Sequence, residues 1–355
     1  MLFYYSIFSA IFVSFFFVKK RETIFVSLLF IFLFFILSFI RWETGTDWKS
    51  YKDIFEGTGW VAEFGFRYFN LLIRKLTDNY SICLLVQSVI IFLCLLKPFK
   101  YFSVYPLVTL MAFFCLLKGD IFFTRQYIAV NLCLLAAYFL CKNEIKYAFG
   151  IWCFAFIFHY SSIAFSLAFF IYKRRFNLKT LIIILFLSVV FSLTIDFVIS
   201  FVADINKLNH FLLIDKFLRY YNDSQELFGY GGGFSKQFIV IKSLVSRSLI
   251  LFVLILCRNK FYQDDKFNLI FNFYIVDFCL FCVLSPISFT LTRLNCFFSI
   301  TEIFCYSYFI KAGAKFSDKV LIFLIVTVYL GLRLYSGIQG YYDEFVPFKT
   351  IFSRV

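Results

Sequence analysis

The chain has 355 residues, of which 62% are hydrophobic, 24% aromatic and only 16% charged, with a formal net charge of +14. No soluble core of this length hides so much apolar surface, so the solvent around most of the chain is lipid. The surplus Lys and Arg sit in short connections between apolar segments rather than in a basic domain, which excludes a nucleic-acid partner.

The chain opens on an apolar stretch, 2–18, followed by Lys19, Lys20 and Arg21. A cleavable signal peptide carries its charge before the apolar run, so this order predicts a first membrane helix. A span needs about 20 apolar residues. By that template the predicted spans are 2–18, 23–40, 80–97, 103–118, 121–141, 147–159, 161–172, 179–203, 237–257, 267–284, 289–310 and 319–336. The fold class is thus an all-α integral membrane protein, a polytopic bundle of about twelve (roughly 10 to 13) transmembrane helices. It forms one membrane domain over 1–355. Residues 41–79 make an outer loop. Its segment 64–77 places Arg67, Arg74 and Lys75 among apolar residues at helical spacing, as in a helix lying in the interface. Residues 204–236 make a second large outer loop with Gly231, Gly232 and Gly233 in a row, too irregular for a phosphate loop.

Orientation follows from the short loops. The alternate set 19–22, 97–100, 142–146, 173–179, 258–266 and 311–319 holds 17 basic and 5 acidic residues; the rest holds 18 and 16. The first set is therefore cytoplasmic, both termini face outward, and the polar motifs fall on the outer face. The 11 cysteines lie in or at the ends of apolar segments, without a histidine at metal-ligand spacing. They read as buried thiols, with no metal and no cofactor.

Five groups bear chemistry. The first is "RWETGTDWKSY", in which Arg41 ends the second span. Asp47 and Tyr51, four apart, share a helix face. Arg suits a phosphate and Asp a hydroxyl proton; the plain alternative is Trp42, Trp48 and Arg41 gripping headgroups. The second is Arg125 with Gln126, about one turn into a span, where an arginine either meets a partner or wet cavity or snorkels outward. The third is His159, followed by Tyr160, Ser161 and Ser162; it is a base or proton shuttle, or a structural histidine. The fourth is the set of charges in later spans, Lys242, Arg247, Asp277, Arg293, Glu302 and Arg333, with Arg247 able to pair with Asp277 or Glu302. The fifth, the carboxylates of 204–236, Asp204, Asp215, Asp223 and Glu226, reads as solvated more readily than as sugar-binding. An outer face rich in arginine and aromatics suits one ligand class, a polyprenyl-diphosphate-linked saccharide.

"RWETGTDWKSYKDIF" resembles the Arg…Gly-x-Asp…Tyr…Phe opening of the EpsG-like family, a branch of the Wzy-type O-antigen and exopolysaccharide polymerases. "TRQYIAVNL" resembles that family's Arg-Gln helix, "FHYSSIAFSLAFF" its Phe-His-x-Ser segment, and "YYDEFVPFKTIF" its closing Pro-Tyr/Phe-Lys pattern. The three leading motifs occur in the family's order and cover the N-terminal half. Arg219 and Gly229 depart from the Arg-x10-Gly pattern of many Wzy polymerases by one residue. The resemblance implies an O-antigen polymerase in the bacterial inner membrane. It would join undecaprenyl-diphosphate-linked oligosaccharide repeats on the periplasmic face, with a membrane chain-length regulator as a further partner. Carried over residue by residue, it implies Arg41, Asp47 and Tyr51, Arg125 and Gln126, and His159 and Ser161 as site residues. The expected mechanism needs no metal. Arg125, Arg247 and Arg293 neutralise the leaving diphosphate, and Asp47 or His159 is the general base. Two alternatives use the same lipid-linked sugar: an O-antigen ligase, and a flippase. A flippase would show a two-half repeat and charge reaching both faces, and the sequence has no internal repeat.

Overall fold

The computed structural model describes residues 1–45, 47–59, 63–117, 125–209, 236–288 and 291–353. Among them the secondary structure is helical, apart from one isolated bridge between Arg41 and Thr350. In lipid every backbone N–H and C=O must bond within its own segment, and a helix does this for any apolar sequence. The chain is a membrane-embedded, all-α protein. Five helices are long and apolar enough to cross a membrane by length and composition: Lys20–Ile40, Tyr80–Phe102, Leu178–Ile195, Asp265–Leu284 and Phe316–Gln339. Other predicted spans form shorter apolar helices, including Leu2–Phe17, Arg125–Cys141 and Ile145–Phe158.

Two predicted spans are broken. The stretch 161–172 is a 3-10 helix, Tyr160–Leu167, followed by one helical turn, Ala168–Ile171. His159 before it is extended (φ −155°, ψ 109°), and the Trp152 indole N–H donates to the Ser162 carbonyl at 2.8 Å in place of a helical bond. The stretch 289–310 is also divided, into Leu291–Asn295, Cys296–Ser299 and Glu302–Ala312. The helix before it ends at Leu284, two residues short of Pro286, which contributes no N–H to continue the ladder, although Ser285 keeps helical backbone. The predicted loop 204–236, with Arg219, Gly229 and the three glycines, lies outside the described residues except at its ends.

The described chain divides into two compact units, Met1–Phe169 with Ile300–Val355, and Phe170–Ser299. The first contains α1 (Leu2–Phe17), α2 (Thr23–Ile40), α3 (Trp48–Glu56), α4 (Phe64–Arg74), α5 (Tyr80–Phe102), α6 (Pro106–Leu117), α7 (Arg125–Cys141) and α8 (Ile145–Phe158). α7 is the buried centre, packed between α5 and α8. Its Ala129, Cys133, Ala136 and Ala137 are fully buried, and these small side chains let the neighbouring helices approach closely. The predicted interfacial helix is α4, shorter than 64–77 and burying Phe66, Asn70 and Ile73 on one face.

The chain ends of this unit meet the opening motif. The Tyr4 hydroxyl donates to the Phe345 carbonyl at 3.0 Å, and the Trp42 N–H to the Lys349 carbonyl at 2.9 Å. The Gly45 N–H donates to the Glu344 carbonyl at 2.9 Å. The turn that allows this has Glu43 at φ 45° and Gly45 at φ 102°, a conformation glycine adopts without strain. Thr44, fully buried, donates to Trp42 and Lys349 carbonyls and accepts from the Lys349 N–H at 3.1 Å.

The second unit contains α9 (Leu178–Asn209), α10 (Lys236–Phe261) and α11 (Asp265–Leu284). At one end Arg175 bonds Asp265 at 3.0 Å and Gln263 at 3.2 Å, Arg258 donates to the Phe176 carbonyl, and the buried Asn272 amide caps the Ile171 and Arg174 carbonyls. Two of the basic loops predicted to share a face, 173–179 and 258–266, therefore meet.

Thr44→Val keeps the shape and removes the hydroxyl. It leaves the Lys349 N–H without this acceptor, at a cost of about 1 kcal/mol. Thermal unfolding in detergent should show a lowered midpoint, and limited proteolysis should show earlier cleavage near residue 345.

Candidate active site

Glu63 precedes α4 as its N-cap and is buried. One carboxylate oxygen accepts from Arg125 Nη1 at 2.8 Å, and the other meets His159 Nδ1 at 2.9 Å. Arg125 is the first residue of α7 and His159 the C-cap of α8. One carboxylate thus joins three helix ends. Burial alone would raise the Glu63 carboxyl, but the His159 hydrogen bond, the Arg125 charge and its own backbone bond together hold it below the usual carboxylate range. The positive N-terminus of α4 favours the same charge. An ionised carboxylate only accepts, so the proton of the neutral imidazole sits on Nδ1 and its Nε2 keeps a lone pair. The side chains are 8% exposed for Glu63, 13% for His159 and 25% for Arg125, so the carboxylate is the most withdrawn of the three.

Helix packing sets this geometry. At Gly65, two residues after Glu63, α4 meets α8 at Ile157, two residues before His159. A Cβ on Gly65 would lie 2.8 Å from the Ile157 carbonyl oxygen and closer still to its side chain. Only glycine allows the backbones to approach enough for the Glu63–His159 bond.

A second cluster surrounds Arg41, which is 1% exposed although it ends a span. Its Nη1 donates to the Thr44 carbonyl at 3.3 Å. Burial pulls its guanidinium down to about 10, while Tyr80, Tyr51 and Asp47 pull it back up. It stays charged at neutral pH. Asp47 is the N-cap of α3 and its carbonyl accepts from the Tyr51 N–H at 3.0 Å, so the two share a helical turn. Trp48, buried, packs edge-on against Trp42 and Tyr80, and Lys52 lies over both indoles. Headgroup anchoring by Arg41 and Trp48 does not fit this burial. The Tyr51 ring contacts Phe66 of α4 at 5.8 Å, which connects the two clusters.

Gln126 follows Arg125 on α7, half-buried, and Ser161 lies in the 3-10 stretch after His159. Arg247 and Arg293 belong to the second unit. Arg247 Nε lies 3.5 Å from Asp277, which is fully buried, and its guanidinium stacks 3.9 Å over Phe281. Asp277 is therefore its ion-pair partner. Glu302 accepts instead from the Tyr306 hydroxyl at 2.6 Å. Arg293 is exposed on its 3-10 turn.

The model of the EpsG family matches residues 23–350. The chain belongs to the EpsG family. No curated protein and no solved structure matches it. The EpsG family is a Wzy-like polymerase family, which points to a Wzy-like polysaccharide polymerase acting as a glycosyltransferase in the membrane.

Sequence reasoning missed Glu63. Its signal was a single carboxylate in the apolar run "WVAEFGF" directly before a helix, followed two residues later by glycine.

Gly65→Ala forces α4 off α8 and should break the Glu63–His159 bond while the chain still inserts. The check is a hydrogen-exchange or NMR measurement on the His159 ring, which should lose its bonded Nδ1 proton. The lowered Glu63 carboxyl also sets a pH dependence. Its contribution to stability is fully present above the ordinary carboxylate range and is lost as pH falls through the lower folded value. Acid unfolding of detergent-solubilised protein should show this limb, and Glu63→Gln should flatten it.

Proposed function

We propose that this chain is the O-antigen polymerase of a bacterial inner membrane, joining undecaprenyl-diphosphate-linked oligosaccharide repeats on the periplasmic face. The observation that carries the reading is Glu63 held between Arg125 and His159, in a chain whose family is Wzy-like. His159 Nε2 takes the proton of the acceptor sugar hydroxyl. The freed oxygen bonds to the anomeric carbon of the donor while the bond from that carbon to the diphosphate breaks, and undecaprenyl diphosphate leaves with the electron pair. Glu63 holds the ring in the tautomer that leaves Nε2 open, and stabilises the imidazolium once it forms. Arg125 fixes the other oxygen of Glu63 and has further donors for the developing diphosphate charge. This assigns the base role to His159 rather than to Asp47, which belongs with Arg41. Arg41 and Tyr51 hold the loop that presents Asp47 to the sugar, and Gln126 and Ser161 line the approach. Arg247 and Arg293 lie in the second unit and take no role in this site; Arg247 shares its charge with Asp277. A chain-length regulator in the membrane is the expected protein partner.

The test is a silver-stained lipopolysaccharide gel of cells deleted for this chain and complemented. The deletion should collapse the ladder to core plus one repeat, and wild type should restore it. Glu63→Gln, His159→Ala and Arg125→Ala, at wild-type protein level, should each lose roughly 10²-fold or more in polymerisation. A full ladder from all three variants would overturn the site, and loss of the single capped repeat in the deletion would reassign the chain to ligation or flipping.

A further inference from the structure

α2 and α5 pack antiparallel. The Ser88 and Ser38 hydroxyls bond at 3.0 Å, and the Phe35 and Phe92 rings meet edge-on at 5.9 Å. That register brings Leu28 level with the Phe99–Lys100 turn. Between the two helices lies an open cleft of about 360 Å³, walled by Ile31, Phe32, Phe35, Val89 and Leu93 and ending at Lys100. Phe32 is 58% and Leu93 62% exposed, so the cleft opens sideways, toward hydrocarbon. From Val89 to Lys100 it runs about 16 Å along the helix, at 1.5 Å per residue. That is close to half of a roughly 30 Å hydrocarbon core, the depth of one leaflet.

Its charged end is not limited to Lys100. α2 begins just after Lys19, Lys20 and Arg21, all exposed, with Arg21 also 3.5 Å from the Glu22 carboxylate, while Lys97 turns away over the Phe139 ring. Antiparallel packing puts the α2 cations and Lys100 at one end, the end predicted to be cytoplasmic. The opposite end of α5, at Tyr80, packs on Trp48.

We propose that this cleft is a binding site for an anionic phospholipid, with one acyl chain between α2 and α5 and the phosphate among Lys100, Lys20 and Arg21. The length favours an acyl chain of one leaflet over a polyprenyl chain, which would overrun both ends. The cations at one end select an anionic headgroup over a zwitterionic one, because basic side chains near a membrane surface each attract anionic lipid. The proposal is independent of the polymerase reading, since none of these residues belongs to the Glu63 or Arg41 clusters.

The experiment is native mass spectrometry of the full chain released from nanodiscs of equal parts dioleoyl phosphatidylglycerol and dioleoyl phosphatidylcholine. Wild type should retain phosphatidylglycerol preferentially. Lys100→Ala should cut that preference about fivefold, and Lys20→Ala with Arg21→Ala should cut it further. Leu93→Trp, which fills the cleft without touching charge, should release both lipids. Equal retention of the two lipids by wild type, or an unchanged preference in the lysine and arginine variants, would overturn the proposal. So would displacement of phosphatidylglycerol by equimolar undecaprenyl phosphate, which would give the cleft to the isoprenoid chain. Thermal unfolding of each variant in a single detergent separates lost binding from lost folding.

Discussion

A charge taken out of water beside hydrocarbon costs several kcal/mol unless an opposite charge meets it in good geometry. Glu63 answers that constraint with both of its oxygens. Its two bonds reach the first residue of α7 and the last turn of α8, and it opens α4 itself. The positions of three helix ends therefore follow from one carboxylate. Removing it would leave Arg125 half-buried without its partner, and removing Arg125 would leave the carboxylate facing only an imidazole. Gly65 supplies the steric half of the same arrangement by letting α4 lie on the Ile157 backbone.

The Arg41 cluster meets the same constraint differently. Its guanidinium donates to the Thr44 carbonyl, with the fields of Tyr80, Tyr51 and Asp47 around it. The cover comes from the far end of the chain, where residues 344–350 lay backbone bonds along residues 41–45. The opening and closing motifs of the sequence are thus one structural element. The ring contact from Tyr51 to Phe66 carries that rigidity to α4 and so to Glu63.

Most helices were legible because hydropathy decides them: a lipid-facing segment satisfies its own backbone, and little tertiary information is needed. The two broken segments were harder to see, since their composition stays apolar while the backbone leaves the helix. At 285–301 Pro286 was the visible cue; at 160–171 the cue was the serine pair after His159. Arg125 and His159 stood out as polar residues in apolar surroundings. Glu63 did not, because a carboxylate beside an interfacial helix reads as solvated. Its partners lie 62 and 96 positions along the chain, with no local pattern to pair them. The burial of Arg41 depends on a contact across some 300 residues, and local spacing left it indistinguishable from a headgroup anchor.

The two ends of the first unit treat charge in opposite ways. At the end of α5 and α7 that carries the basic loops, Lys142 lies over the Tyr101 and Tyr138 rings and Lys97 over Phe139, with no ion pair required. Their charges rest on aromatic faces at the membrane boundary. At the opposite end Glu63, Arg125, His159 and Arg41 are withdrawn from water and locked by hydrogen bonds. Buried ion pairs are poor stabilisers compared with apolar packing of the same volume, so stability alone does not account for placing them there. The proposed group transfer would account for it: charge would develop on the leaving diphosphate, and donors already fixed in position would need no reorganisation to meet it. A membrane protein that desolvates four charged or titratable groups at one end, and leaves the lysines of the other end near the surface, has concentrated its preorganised electrostatics where a charged reaction would use it.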